Sequence, residues 1–459
     1  MARWLPLLVV MGAIAVVVLG ILLPRPVRNS ATANPAGRPF WRASFRTSVG
    51  TAKDTSRFQR SANLPKFGAE QIVAGKIAKF AENRLKVYRA MAERFHFPVP
   101  AEVEQFFAAA AAGRWPELTS RFQALQQQRR NGDQHLQALW GPIVEAYSVV
   151  EETQSWPAQK LLDYGESILG SLQPGMVYVG GTDPGRFIPT LLNETSDGDR
   201  HIVLTQNAMA DNTYLQYVGF LYGDQMTTLT EEDSQRAFQE YIEDARKRLA
   251  HDERFPDEPK QIRPGENVHE SDGRLEVSGE VAVMAINERL LTMLMDQNPS
   301  LSFALEESYP LKSTYADALP LGPIMQLRAA NGQSSFTPDA AAQVLNYWRD
   351  TAQDLASDPT ITADSEPLKE YAKMAAAQAS LLADHNYTSQ AEQAYQVAVQ
   401  ILPGCPEAVF EYVNLLMGQN RVADALAVLQ NAILAAPENK QLRDLLQNVK
   451  SIQQRNGGP

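Results

Sequence analysis

The hydrophobic rhythm of the chain changes twice. Between residues 67 and 172, apolar and charged residues alternate at the spacing of helices that bury one face. The run FGAEQIVAGKIAKFAENRLKVYRAMAERF predicts one long helix, broken by Pro98 and Pro100. AEVEQFFAAAAAGRWPELTSRFQAL predicts a helix, a Gly-containing turn and a second helix. Two further helices are expected near Leu136–Val150 and Ala158–Leu172, and Phe106, Phe107 and Trp140 read as core residues. After Gly175 the rhythm shortens. Apolar runs of strand length appear in MVYVGG, HIVLTQN, LSFALEES and IMQLRA. Helical stretches at Phe187–Glu194, Asn212–Tyr222, Glu231–Ala250 and Glu280–Asp296 separate them. Strands alternating with helices predict a central α/β domain with a mainly parallel sheet over residues 173–335. The polar stretch from His251 to Arg274 carries Pro256, Pro259, Pro264, Gly265 and Gly273 and is expected to be an inserted loop or a small hairpin.

Residues 336–459 return to a helical rhythm and contain a repeat. Ala391, Tyr395, Ala398 and Pro403 recur 34 residues later as Ala425, Leu429, Ala432 and Pro437. Ala379 and Leu382 recur in the same way as Val413 and Leu416. This period, with small residues at helix contacts and a closing proline, is the tetratricopeptide pattern. Ala375 and Val409 stand where that pattern usually has an aromatic residue. Two repeats cannot bury their own faces, so Glu438–Gln454 is expected to cap the stack and earlier helices to support it.

The N-terminus has a different character. Residues 4–23, WLPLLVVMGAIAVVVLGILL, carry no charge. About 20 helical residues at ~1.5 Å each cross a hydrocarbon core of about 30 Å, so the run predicts a transmembrane anchor. A cleaved signal peptide ending at Ala31-Thr32-Ala33 is the rival. The apolar run exceeds a usual signal-peptide core, and Pro24, Arg25, Pro26 and Arg28 intervene. Residues 24–66 read as a flexible linker. Its Arg38, Arg42, Arg46, Lys53, Arg57, Arg60 and Lys66 are spread out, which suits a solvated tether better than a clustered lipid-binding patch. Arg25, Arg28, Arg38 and Arg42 follow the span while Arg3 precedes it, and positive-inside bias alone would place the large region in the cytoplasm.

Bulk composition narrows the function classes. A chain of 459 residues can hold two or three domains. The net charge of −11 argues against general nucleic-acid binding, which needs a basic footprint. Cys405 is the only cysteine, so an internal disulfide and a multi-cysteine metal site are excluded.

The stretch MVYVGGTDPGRFIPT holds the strongest chemical candidate. Gly180 and Gly185 have the G-x-x-x-x-G spacing of a phosphate loop, but Arg186 and Phe187 follow instead of Lys and Ser/Thr. No G-x-S-x-G elbow occurs in the α/β region, and the six histidines are scattered without helical zinc spacing. No cofactor or metal is expected. The Glu231–Asp233 run suits the start of a helix, where acids meet the positive end of the dipole. What remains is a set at the carboxyl ends of the first two strands: Gly181, Asp183 and Arg186 after one, Asn207 and Asp211 after the other. Parallel sheets bind ligands at that edge. The plainer reading is that Asp183 orders its own turn and Asp211 caps a helix.

MVYVGGTDPGRFIPTLL, HIVLTQNAMADNTYLQYV, NPSLSFALEESYPL and PLGPIMQLRAA together resemble the soluble C-terminal part of bacterial membrane glycosyltransferases similar to protein O-mannosyltransferases. The resemblance covers residues 170–437 and implies an α/β layer followed by tetratricopeptide repeats, with an extracytoplasmic position. Only Gly181 and Asp183 match that family's turn. The chain has one predicted span in place of the family's multi-span catalytic domain, so no catalytic residue carries over. These readings together lead to an expected membrane-anchored, non-catalytic interaction module. It would bind protein or glycan partners through its repeats, a membrane glycosyltransferase among the candidates. The alternative is an enzyme or small-ligand binder using the sheet-edge residues.

Overall fold

The computed structural model describes residues 68–459, apart from 264, 272–273, 307–316, 329–335, 363–364 and 457–459. The predicted anchor at 4–23 and linker at 24–66 lie outside the described residues. Among the described residues, no helix is long and apolar enough to cross a membrane.

The first region is all helical, in keeping with its period: α1 (Ala69–Arg94), α2 (Ala101–Ala111), α3 (Trp115–Arg130), α4 (Gln134–Ala138), α5 (Trp140–Ser155) and α6 (Ala158–Leu169). Then come β1 (Val177–Gly180), α7 (Asp183–Glu194), β2 (Ile202–Thr205), α8 (Asn212–Tyr222), α9 (Glu231–Arg254), β3 (Asn267–Ser271), β4 (Arg274–Ser278), α10 (Glu280–Gln297), β5 (Phe303–Leu305), β6 (Leu319–Leu321) and β7 (Ile324–Arg328). The last region holds α11 (Pro338–Ser357), α12 (Glu366–Asp384), α13 (Thr388–Ile401), α14 (Pro406–Gly418), α15 (Val422–Ala435) and α16 (Lys440–Asn456). Helix starts follow local chemistry. The Thr230 side chain and Asp233 form a reciprocal capping box at the head of α9, with Glu231 and Glu232 in its first turn.

The fold is therefore mostly helical with a small mixed sheet, which corrects the expectation of a mainly parallel one. The strand order is β2-β1-β5-β7-β6. β1 pairs in parallel with β2 and β5, but β7 runs antiparallel to both β5 and β6. The cause is local. Gly322 at φ 58° and Pro323 are the two residues between β6 and β7, and a two-residue loop with Gly first makes a hairpin. β3 and β4 form a separate antiparallel hairpin, as the polar stretch allowed.

Strand alternation divides the core across the sheet. Tyr178, Val203 and Ala304 point into one apolar cluster shared with Ile188 of α7, Trp348 of α11 and Tyr371 of α12. Val177, Val179, Leu204, Phe303 and Leu305 point into another, with Tyr241 of α9 and Leu290 and Leu291 of α10.

The segment after α9 is held by ions rather than by apolar packing. Glu266, whose side chain is fully buried, meets Arg248 and Arg263, and Tyr241 donates to it at 3.1 Å. Burial alone would push its carboxyl up, yet the hydrogen bonds from Arg263 and Arg248 outweigh this and hold it down at about 2. A folded-state value below the unfolded one stabilises above the ordinary glutamate range, and that contribution is lost as pH falls from about 4.3 towards 2. Thermal unfolding between pH 5 and 3 is expected to fall more steeply for the native protein than for Glu266→Gln. Parallel slopes would contradict this.

Candidate functional site

The turn after β1 is a cradle for an anion, and the chain supplies that anion itself. Glu306 follows β5, next to β1 in the sheet, and has no exposed surface. Its carboxylate accepts the Gly181 and Thr182 N–H groups, both at 3.0 Å. The Thr182 hydroxyl donates at 2.9 Å and the Tyr164 hydroxyl at 2.5 Å. Thr182 also caps α7, its oxygen accepting from the Gly185 N–H at 3.0 Å. The free amides and positive dipole at a helix N-terminus favour an anion there. Glycine at 185 follows from this arrangement, because a Cβ there would lie 1.7 Å from a Glu306 oxygen.

Pro189 explains another feature of the turn. It sits inside α7, where it has no N–H to give to the carbonyl four residues back. That carbonyl belongs to Gly185, and the buried Tyr178 hydroxyl donates to it at 2.5 Å. Burial, followed by the Glu306 charge, pushes both the Tyr164 and Tyr178 hydroxyls well above their usual range.

The residues expected at this edge come together in part. Gly181 gives its N–H to Glu306 and accepts from the Asn207 amide at 3.1 Å, so the ends of β1 and β2 are tied. Asp183 and Arg186 form an ion pair one helical turn apart. Thr182, rather than Asp183, is the cap of α7. Arg186 is buried, its guanidinium 4.4 Å from the Phe187 ring. Its Nε has no hydrogen-bond partner. Asp211 is engaged elsewhere: it caps α8 by accepting from the Thr213 N–H at 2.7 Å.

Sequence reasoning missed the carboxylates that close the site. Glu151 and Glu152 come from the end of α5 and Glu370 from α12. Glu152 lies within electrostatic reach of Asp183, Glu370, Glu151 and Arg186. Burial raises all three, Glu151 to about 7; neighbouring carboxylates add to it at Glu151 and Glu152, while at Glu370 Lys373 opposes it without outweighing it. A glutamate ending an apolar strand run, as in LSFALE, was the one visible signal for Glu306. Among the described residues, no group of three His, Cys, Asp or Glu side chains is placed to hold a metal ion. An open groove of about 910 Å³ lies between α9 and α10, away from this edge. Its Arg236 pairs with Asp233, and Arg248 and Arg263 pair with Glu266.

The C-terminal helices repeat in detail. Asn386 and Asn420, 34 residues apart, both have positive φ, at 65° and 60°. The Tyr387 N–H donates to Leu382 O and the Arg421 N–H to Leu416 O, both at 2.9 Å. The small and apolar residues that defined the period are buried in both copies: Ala391, Tyr395 and Ala398, then Ala425, Leu429 and Ala432. The same turn joins α2 to α3, where Gly113 has φ 62° and the Arg114 N–H donates to Ala109 O. The first repeat helix, α12, is docked into the body. Gln378 donates to Ile324 O at 2.6 Å, and Tyr371 packs edge-on against Tyr164. The outer helices are freer, with Phe410 on α14 46% exposed and Leu434 on α15 80% exposed.

Comparison with known proteins agrees with this geometry. Residues 381–449 match the tetratricopeptide repeat family. No curated protein and no solved structure matches the chain. The tetratricopeptide part of the expected resemblance is thus supported, and no matched protein bears on its glycosyltransferase part. Tetratricopeptide repeats generally mediate protein–protein interaction, and these form a region suited to that role.

Proposed function

We propose that the protein is a membrane-anchored interaction module whose outer repeat helices bind a protein partner. The observation that carries this reading is the open face of α14, with an exposed aromatic side chain at its centre. Phe410, Asn414 and Met417 lie at helical spacing on it, with Phe410 and Asn414 exposed and Met417 partly so. The uncharged run at 4–23 supports the anchor, and residues 24–66 serve as its tether. The resemblance to glycosyltransferase tails favours an extracytoplasmic, periplasmic body over the placement suggested by flanking charge. It also makes a membrane glycosyltransferase, or its protein or glycan partners, the first candidates for what is bound. The glycine turn contributes architecture in this reading, because Glu306 already fills it.

The test is crosslinked capture from membranes with the native protein and with Phe410→Ser. Phe410 is exposed, so its replacement leaves the stack folded while removing the most accessible aromatic surface. Recovery of a protein partner is expected to fall at least about tenfold, corresponding to a hot-spot loss above about 1.4 kcal/mol. Unchanged recovery would remove the α14 face from the account.

A further inference from the structure

The meeting point of α5, α7 and α12 has more carboxylates than the chain has groups to pair with them. The Asp183 carboxylate is engaged by Arg186 and one Glu370 oxygen by Lys373 at 3.0 Å. The second Glu370 oxygen, Oε2, is buried without a hydrogen-bond partner, in a residue only 3% exposed. The nearby Thr182 hydroxyl cannot supply it, because its single proton goes to Glu306. Beside it, Glu151, Glu152, Thr182 and Asp183 are all partly exposed, so the cluster opens to solvent at one side. A buried carboxylate oxygen left without a donor costs about 1–3 kcal/mol, which an incoming donor would remove.

We propose that this crevice binds an organic cation bearing N–H donors, an ammonium or guanidinium group, which donates to Glu370 Oε2 and to the Glu152 carboxylate. The charges around the site favour that class of ligand. Glu151 and Glu152 face it from α5, Asp183 and Arg186 from α7, and Glu370 and Lys373 from α12. Glu306, Tyr164 and Tyr178 lie behind them. Both cations are already paired, and Glu152 forms no ion pair among the described residues. The geometry suits an organic cation better than a metal, since these residues do not form a metal-holding group. Burial and neighbouring carboxylates raise both the Glu152 and Glu370 carboxyls, so a bound cation would favour their ionised forms and bind more tightly as pH rises. The inference is independent of the repeat surface, and loss of binding at Phe410 would leave it untouched.

Titration calorimetry on the full chain tests it with three probes: n-butylammonium chloride, methylguanidinium chloride and an acetylated Gly-Lys-Gly amide. Saturable binding is expected. Proton release should appear on comparing buffers of different ionisation enthalpy, with affinity rising by up to about tenfold per pH unit for each proton displaced. Glu370→Gln and Glu152→Gln should each weaken binding at least about tenfold, while Glu276→Gln on the exposed hairpin should not change it. Glu152 is partly exposed, so its variant keeps the test valid even if Glu370→Gln folds poorly. Binding by the two small ions as well as the peptide would indicate a small free cation as ligand, and binding by the peptide alone a basic side chain of a protein. The proposal is overturned if no probe saturates, if binding is independent of pH, or if Glu152→Gln binds as the native chain does.

Discussion

Glu306→Ala is expected to destabilise the protein by about 3–5 kcal/mol, and formate should restore part of the loss. The carboxylate satisfies the Gly181 and Thr182 amides and the hydroxyls of Thr182 and Tyr164 in a site without exposed surface. Removing it orphans these donors together, at about 1–3 kcal/mol for each that water cannot reach. It also empties the positive end of α7. Formate has the same oxygen geometry and fits the space left by the side chain. Glu306→Gln keeps the shape but turns an amide donor towards other donors, so it should fall below the native protein without responding to formate. Urea unfolding with formate or chloride at equal ionic strength measures both effects. A loss below about 1 kcal/mol, or identical midpoints in the two salts, would show that the cradle does not depend on its internal anion.

The second large effect lies among the N-terminal helices. Arg84 of α1 is 1% exposed, paired with Glu145 of α5 and with Glu194 of α7 at 3.3 Å. Tyr217 of α8 donates to Glu145 at 2.7 Å, so four helices meet at one buried charge. Burial opposes that charge, but Glu145 leads the groups that outweigh burial, and the guanidinium stays ionised. Arg84→Met should cost about 3–5 kcal/mol, because it leaves Glu145 largely buried without its cation and Glu194 with only the half-exposed Arg200. Adding Glu145→Gln should return at least about 1 kcal/mol, since the amide oxygen still accepts from Tyr217 and one stranded charge is gone. Additive losses in the double variant would show that Arg84 and Glu145 are not coupled.

Legibility in the sequence followed the range of the interactions. Helices announced themselves through their own period. Asn212–Tyr222 was placed to the residue, and the 34-residue repeat reappears in paired turns at Asn386 and Asn420. The turn at Gly113 was legible as a Gly-containing turn, but its kinship with the repeat turns was not, because Phe106 stands where the C-terminal repeats have the smaller Ala379 and Val413. The mixed sheet was missed for a different reason. Strand direction depends on the Gly322–Pro323 loop, and the apolar run of IMQLRA reads the same in either direction. At the candidate site, neighbours in sequence were readable and distant partners were not. The joining of Gly181 to Asn207 follows from adjacent parallel strands, and the Asp183–Arg186 pair from helical spacing. Glu306 lies 125 residues from the amide it binds at Gly181, and Glu370 comes from a helix beyond the sheet. Only the fold brings them to the turn. What resembled an incomplete phosphate loop lacks its lysine and hydroxyl because the anion there is a fixed carboxylate.

The central claim, that the outer repeat helices are the protein-binding surface, is tested most directly by site-specific photocrosslinking in membranes. A photoreactive residue would be placed in turn at Phe410, at Leu434 and, as a control, at Glu276 on the β3–β4 hairpin. The account predicts a discrete crosslinked protein adduct from Phe410 and none from Glu276, with Leu434 showing whether the contact extends onto α15. Adducts from Glu276 alone, or none from either repeat position, would contradict it.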